Sequence, residues 1–103
     1  MGGNLDTNSN NINFGDNDKA QFGAGNDLQI YHSGTQSIIA DTGTGQLSIR
    51  GEHTIAFTNA AGTETYASMV KDGAVTLKHN NATKLATKSD GVDITGELQA
   101  DSL

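Results

Sequence analysis

The chain has 103 residues, of which only 34% are hydrophobic, and a mean hydropathy of −0.46, so it is one domain at most or a piece of something longer. The absence of cysteine excludes disulfides and thiolate metal sites, and the net charge of −6 argues against binding to a nucleic-acid backbone. A monomer of this size and composition would have a thin core, so we expect the chain either to be disordered or to share its core with other chains.

The N-terminal region, residues 1–11, is a polar flank rich in Asn, with Ser, Thr and Asp, whose side chains favour turns over sheet. Residues 1–3 are interpreted as a start methionine followed by a cloning remnant, and the chain as part of a longer protein. A Gly-Asp-Asn-Asp turn is predicted at residues 15–18 and a glycine-rich turn at residues 23–27. No apolar run approaches the length of a transmembrane span, so membrane insertion is not expected.

From Leu28 onward, apolar residues recur in short groups, most often as pairs two positions apart, and turn residues separate the groups. This alternation is typical of strands with one buried face. The apolar centres are Leu28 with Ile30, Ile38 with Ile39, Leu47 with Ile49, Ile55 with Phe57, Tyr66 to Val70, Val75 with Leu77, Leu85, Val92 with Ile94, and Leu98. Because they recur every eight to ten residues and the chain has 13 glycines, we predict an all-β protein of many short strands.

The strand-turn at residues 28–34 recurs 47 residues later, at residues 75–81. This offset aligns Leu28 with Val75, Ile30 with Leu77, His32 with His79, Gly34 with Asn81, and Ile38 with Leu85. Since Asn commonly replaces Gly where φ is positive, we predict left-handed backbone at both Gly34 and Asn81. The second copy is expected to be two residues shorter in the turn at residues 42–46. Leu47 then aligns with Val92, and Ile49 with Ile94.

The repeat divides the chain into a first β repeat at residues 12–58 and a second, truncated one at residues 59–103. Two repeats are too few for a propeller and give a solenoid little core. An elongated homotrimeric β fibre solves this problem, with chains intertwined or side by side as in a triple β-helix or β-prism. Its predicted trimer core is one apolar stripe per chain, formed by Leu28, Ile30, Leu47, Ile49, Val75, Leu77, Val92 and Ile94.

Two segments carry a resemblance to a known family. Residues 19–51 contain GAGNDLQIYH, and residues 72–96 contain NNATKLATKSDGVDITG. Both resemble a repeat unit of tail-fibre and other virion structural proteins of tailed bacteriophages, especially marine ones. The resemblance implies a homotrimeric, β-rich shaft in the virion, made in the host cytoplasm and extracellular after release. Its implied partners are its own copies, neighbouring fibre segments and, in the receptor-binding alternative, a host surface receptor.

Metal sites are weaker alternatives, and no cofactor is expected. Asp16, Asp18 and Asp27 lie in segments that partly match the calcium-binding nonapeptide of β-rolls, but the nonapeptide does not recur in tandem, so turn formation is preferred. His32 and His79 lie at equivalent repeat positions and could each meet their copies on a threefold axis around a metal. A histidine that caps a turn by a backbone hydrogen bond is the preferred interpretation.

Enzymatic chemistry is not predicted. Asp90 and Asp93, with Glu52, Glu64 and Glu97, could be read as glycosidase carboxylates. The chain has no Trp and only two Tyr to line a sugar-binding cleft. The sequence therefore predicts a structural, non-enzymatic fibre segment. The alternatives are a receptor- or glycan-binding module and a calcium-stabilised β-roll.

Overall fold

The computed structural model describes residues 2–102, which form eight strands in two antiparallel sheets, with no helix in this range. The chain divides into two compact units, Met1–Ser48 and Ile49–Leu103, and each unit contains one sheet. The all-β prediction is confirmed. Met1, in the predicted cloning remnant, and Leu103, the end of the second predicted repeat, lie outside the described residues.

The sheet of the first unit, sheet 1, has three strands in the order β1-β2-β3. Their bounds are β1 Lys19–Phe22, β2 Leu28–His32 and β3 Ser37–Asp41. The predicted turn at residues 15–18 leads into β1, and Asp18 N donates to Gly15 O over 3.0 Å. The same turn is attached to the end of β2, because Asn17 N donates to His32 O over 2.7 Å.

The sheet of the second unit, sheet 2, has five strands in the order β4-β5-β6-β7-β8. Their bounds are β4 Thr54–Thr58, β5 Thr65–Val70, β6 Val75–His79, β7 Ala82–Lys88 and β8 Gly91–Ile94. Every neighbouring pair is a hairpin, so all pairings are local and each strand lies beside the next strand in the chain.

Positive-φ residues close the hairpins. In the two-residue loop between β6 and β7, Asn80 and Asn81 have φ of 49° and 64°, as a type I′ turn requires. Gly34, in the longer β2–β3 loop, has φ of 100°. The predicted left-handed backbone at Gly34 and Asn81 is therefore confirmed. A further turn lies between β5 and β6, with Asp72 at φ of 57° and Gly73 N donating to Val70 O over 3.0 Å.

The strands agree in position with the sequence repeat. Strand β6 begins and ends 47 residues after β2, and each is the second of three consecutive antiparallel strands, β1-β2-β3 and β5-β6-β7. The register agrees as well, since Ala20 pairs with Ile30 and, 47 residues later, Ala67 pairs with Leu77. A shared strand register is a stricter similarity than a shared apolar pattern, because a slip of one residue would move every side chain to the other face.

The predicted place of the length difference is wrong in part. Four residues, 33–36, separate the pair His32–Ser37, whereas two, Asn80 and Asn81, separate the equivalent pair His79–Ala82. A register shift at Lys84 then restores one residue, so Leu85 corresponds to Ile39 rather than to Ile38. The difference begins in the hairpin loop because a tight type I′ turn replaces a wider one.

A strand at Leu47 and Ile49 is not observed in the described structure, although the equivalent Val92 and Ile94 lie in β8. Beyond β3, Thr42 N and Thr42 Oγ1 both donate to Asp27 O, over 2.7 and 3.2 Å, so the chain continues beside β2 for one more residue. The apolar residues Ile12, Phe14 and Leu98 also lie outside the strands.

Candidate functional site

One face of sheet 2 carries apolar side chains on all five strands. The cross-strand register places Phe57 beside Ala67, Ala67 beside Leu77, and Leu77 beside Leu85, which pairs with Ile94. A second row lies parallel to the first, because side chains two apart on a strand share a face. We call the following set the apolar face of sheet 2: Ile55, Phe57, Ala67, Met69, Val75, Leu77, Leu85, Val92 and Ile94.

The opposite face of sheet 2 is mainly polar. Ser68 Oγ and Thr76 Oγ1 are hydrogen-bonded across β5 and β6 at 2.8 Å. Lys88 Nζ forms an ion pair with Asp93 Oδ1 at 3.0 Å across β7 and β8. Because hydrogen-bonded hydroxyls and exposed ion pairs are compatible with water, this face needs no further cover. The sheet is therefore two-sided, with one apolar and one polar surface.

Sheet 1 has the same division. Its apolar face consists of Ala20, Phe22, Leu28, Ile30 and Ile39, in the register Ala20–Ile30–Ile39 and Phe22–Leu28. On the other face, Lys19 Nζ lies 4.7 Å from the centre of the Tyr31 ring, a cation–π contact. The repeated strands thus carry the repeated apolar face.

Neither apolar face is covered by other residues of its own unit. None of the described residues is buried, and Phe22, Ile39 and Leu77 are 50, 61 and 49% exposed. The accessible surface of the chain is 8595 Å², whereas a compact protein of this mass would expose about 5,500 Å². Contiguous apolar surface of this extent is unusual for a monomeric protein.

The predicted trimer core maps onto these faces in large part. Leu28 and Ile30 lie on the apolar face of sheet 1, and Val75, Leu77, Val92 and Ile94 lie on that of sheet 2. Leu47 and Ile49 lie outside the strands and are 46 and 57% exposed. The burial of all eight residues between chains stays a prediction.

Several residues of the apolar faces were not among the predicted core. Phe57 and Met69 became part of the face through their pairing partners on β5 and β6. Ile55 and Phe57 form a pair two apart, which could have identified them. Met69 is followed by Val70, and Ile39 is preceded by Ile38. The sequence alone therefore did not say which residue of each pair lies on the apolar face.

His32 and His79 end β2 and β6 on the same side as the apolar faces. His32 Nδ1 lies 3.0 Å from Oγ of Ser37, the residue that pairs with His32 on β3, so its partner is a side chain and not the predicted backbone group. No group of three His, Cys, Asp or Glu side chains in the described range could hold a metal ion. A site made of His32 or His79 from three chains would need the assembly and stays a prediction.

The aspartates of the partial nonapeptide are engaged in turns. Asp18 Oδ2 accepts from Gly15 N over 3.0 Å. The Asp27 carboxyl group lies against Gly25, where an added Cβ would be 3.0 Å from Asp27 Oδ1. Asp16 lies against Gly34, since a Cβ there would be 3.3 Å from its Oδ2. These contacts are those of turn-forming residues.

The carboxylates considered for glycoside hydrolysis lie apart or in ion pairs. Asp90 and Asp93 both face Lys88, at 4.0 and 3.0 Å from its Nζ. Glu52 pairs with Lys71 at 3.3 Å. Residues 2–102 enclose no pocket beside these groups.

In the same range, no helix is long and apolar enough to cross a membrane.

Comparison with known proteins gave no match to a family model, to a curated protein or to a solved structure.

Proposed function

We propose that this protein is a structural segment of a bacteriophage tail fibre or related virion appendage, in which three copies pack their apolar sheet faces together. The observation that carries the proposal is the apolar face of sheet 2, which extends over five strands and is not covered by other residues of its own unit. A sheet with one apolar face must bury it against another layer, and a further copy of the chain supplies one.

The surface area supports association. The chain exposes roughly 3,000 Å² more than a compact protein of its mass. Stable permanent complexes bury areas of this order, roughly 2,000–5,000 Å² in total. The number of copies, three, and the virion location rest on the resemblance of residues 19–51 and 72–96 to phage fibre repeats.

The role that follows is mechanical. The apolar faces would hold the copies together, and the polar faces, with Ser68, Thr76 and the Lys88–Asp93 pair, would face water or neighbouring fibre segments. No chemical step is assigned to any residue. A shaft of this kind transmits position and force between the parts of the appendage that it connects.

The test uses two neighbouring residues on β4 that point to opposite faces. Phe57 lies on the apolar face and Ala56 on the polar one. Sedimentation equilibrium should show a trimer for the natural protein, a strongly weakened trimer for Phe57→Asp, and a retained trimer for Ala56→Asp. Both substitutions place an aspartate with one negative charge on the same edge strand, so the added charge is matched.

A monomer of the natural protein at micromolar concentration would contradict the proposal. Equal dissociation of Phe57→Asp and Ala56→Asp would also contradict it, because the apolar face would then not be the interface. A stable assembly of another order, such as a dimer, would retain the interface but overturn the fibre assignment, which requires three chains.

A further inference from the structure

The two sheets differ at one edge. In sheet 2, β8 pairs with β7 and covers its outer side. In sheet 1, the equivalent strand β3 is at the edge of the sheet, with β2 on its other side. Because β1-β2-β3 and β5-β6-β7 are repeats with equivalent register, the first sheet lacks a strand that the second one has.

The missing strand has a counterpart in the sequence. Residues 46–49, Gln-Leu-Ser-Ile, align with β8, Gly91–Ile94, and carry the same alternation, with Leu47 and Ile49 in place of Val92 and Ile94. The structure places this segment outside the strands, with Leu47 and Ile49 about half exposed. The sequence of a strand is therefore present, and the strand is not formed.

The chain does not reverse directly after β3. In sheet 2, the two residues Ser89 and Asp90 turn the chain directly from β7 into β8. After β3, Thr42 donates to Asp27 O and so continues the β2–β3 pairing by one residue. Gly43 lies closely against the same residue, since an added Cβ would be 3.0 Å from Asp27 Cβ. The chain thus still lies beside the start of β2 at Gly43, and the segment at residues 46–49 does not form a strand on β3 of its own chain.

The other edges of the repeats do not offer such a segment. The residues that align with β4 in the first repeat are 7–11, which contain no apolar side chain. Asn8 and Ser9 within them have φ of 52° and 67°, which no strand residue adopts. A missing strand with a suitable sequence is therefore confined to the edge of β3.

We propose that residues 46–49 of one copy pair with the open edge of β3 of a second copy, in the place that β8 takes on β7. This deepens the proposed function, on which it rests, because it assigns the contact by which copies exchange strands. Strand addition to a sheet edge satisfies the backbone hydrogen-bonding groups of both partners. It also extends the apolar face of sheet 1 by Leu47 and Ile49.

The register of β7 and β8 fixes the expected pairs. Leu85 pairs with Ile94 and Ala86 with Asp93. Transferred to the first repeat, Ile39 of one copy faces Ile49 of the other, and Ala40 faces Ser48. Directly opposed residues in adjacent strands have Cβ atoms about 5 Å apart. A cysteine pair at positions 40 and 48 is therefore close enough to form a disulfide after a small adjustment.

The experiment uses the full chain, which contains no cysteine of its own. Ala40→Cys and Ser48→Cys proteins are mixed in denaturant, refolded together and oxidised mildly, and covalent dimers are counted on a non-reducing gel. We expect several-fold more dimer in the mixture than in either protein alone. Gln46→Cys mixed with Ala40→Cys is the matched control, and it should give little dimer because position 46 is shifted by two residues.

Two further measurements keep the outcomes distinct. Sedimentation of each cysteine variant shows whether it still assembles. If Ala40→Cys or Ser48→Cys does not assemble, the pair Asp41→Cys and Leu47→Cys is used in their place. A trimer without register-specific dimers would overturn the strand exchange and leave the proposed function intact. A monomer would overturn both. In the double variant Ala40→Cys/Ser48→Cys, a bond within one chain, with none in the mixture, would show that the chain's own segment fills the edge.

Discussion

Single residues with left-handed backbone determine where the hairpins turn. Asn80 and Asn81 close the β6–β7 hairpin with φ of 49° and 64°. Asn81 has a second role, because its Oδ1 accepts from Thr65 N over 3.1 Å and so connects this turn to the start of β5. Its backbone conformation and its side-chain hydrogen bond can be separated by substitution.

Replacement of Asn81 should therefore show two steps. Asn81→Gly keeps the left-handed backbone and loses the hydrogen bond to Thr65 N, which should cost about 0.5–1.5 kcal/mol. Asn81→Ala loses both, and the left-handed conformation should add about 1–2 kcal/mol. Urea unfolding at one fixed protein concentration measures the difference. Equal destabilisation by Gly and Ala would show that the positive φ at this position has no energetic consequence.

The sequence was informative about such positions only where the repeat supplied a comparison. Gly34 and Asn81 were predicted because an Asn stood where the other copy had a Gly. The loop at Asn59 had no such partner. There, Asn59 Oδ1 accepts from Thr63 N and Glu64 N, both over 2.9 Å, and an isolated Asn in the sequence does not say which backbone groups lie within its reach.

Pairs of elements are held together on the polar face as well as along the backbone. Ser68 and Thr76 join β5 and β6 through hydroxyl groups 2.8 Å apart in a partly buried position. Loss of one hydroxyl leaves the other without this partner, whereas loss of both removes the requirement.

A double-mutant cycle should reveal this coupling. Ser68→Ala and Thr76→Val should each destabilise the fold by about 1 kcal/mol. The double variant should be destabilised by less than the sum, with an interaction energy of about 0.5–1 kcal/mol. Thermal and urea unfolding of the four proteins at one concentration gives the cycle. Additive effects would mean that the two hydroxyls contribute independently.

Alternation predicted several strands of this chain, but it did not predict which strand pairs with which. Residues two apart identified β2, β4, β6 and β8, because side-chain direction alternates along any extended segment. The same signal at Leu47 and Ile49 predicted a strand that is not formed in the single chain. Periodicity reports that a segment can be a strand, whereas formation also needs a partner strand within reach, which alternation alone does not show.

At the scale of the whole molecule, burial and charge oppose each other. The chain covers only about 45% of the surface that an unfolded chain of its mass exposes, less than a typical domain of even 60 residues. Association would cover more, but three copies would carry a charge of −18. Repulsion of this kind is screened beyond about 10 Å at 0.1 M salt. Physiological ionic strength is therefore the condition under which apolar burial should dominate.

Stability should consequently depend on protein concentration. If three chains fold and assemble together, each tenfold increase in concentration stabilises the trimer by about 2.7 kcal/mol relative to the unfolded chains. The equilibrium depends on the square of the chain concentration, because three separate chains become one particle. With an unfolding enthalpy typical of 309 residues, the melting temperature should rise by about 4 °C per tenfold increase. Calorimetry or circular dichroism from 1 to 100 μM at 0.15 M salt would measure this slope. A melting temperature independent of concentration would mean that each chain folds alone, with its apolar faces exposed.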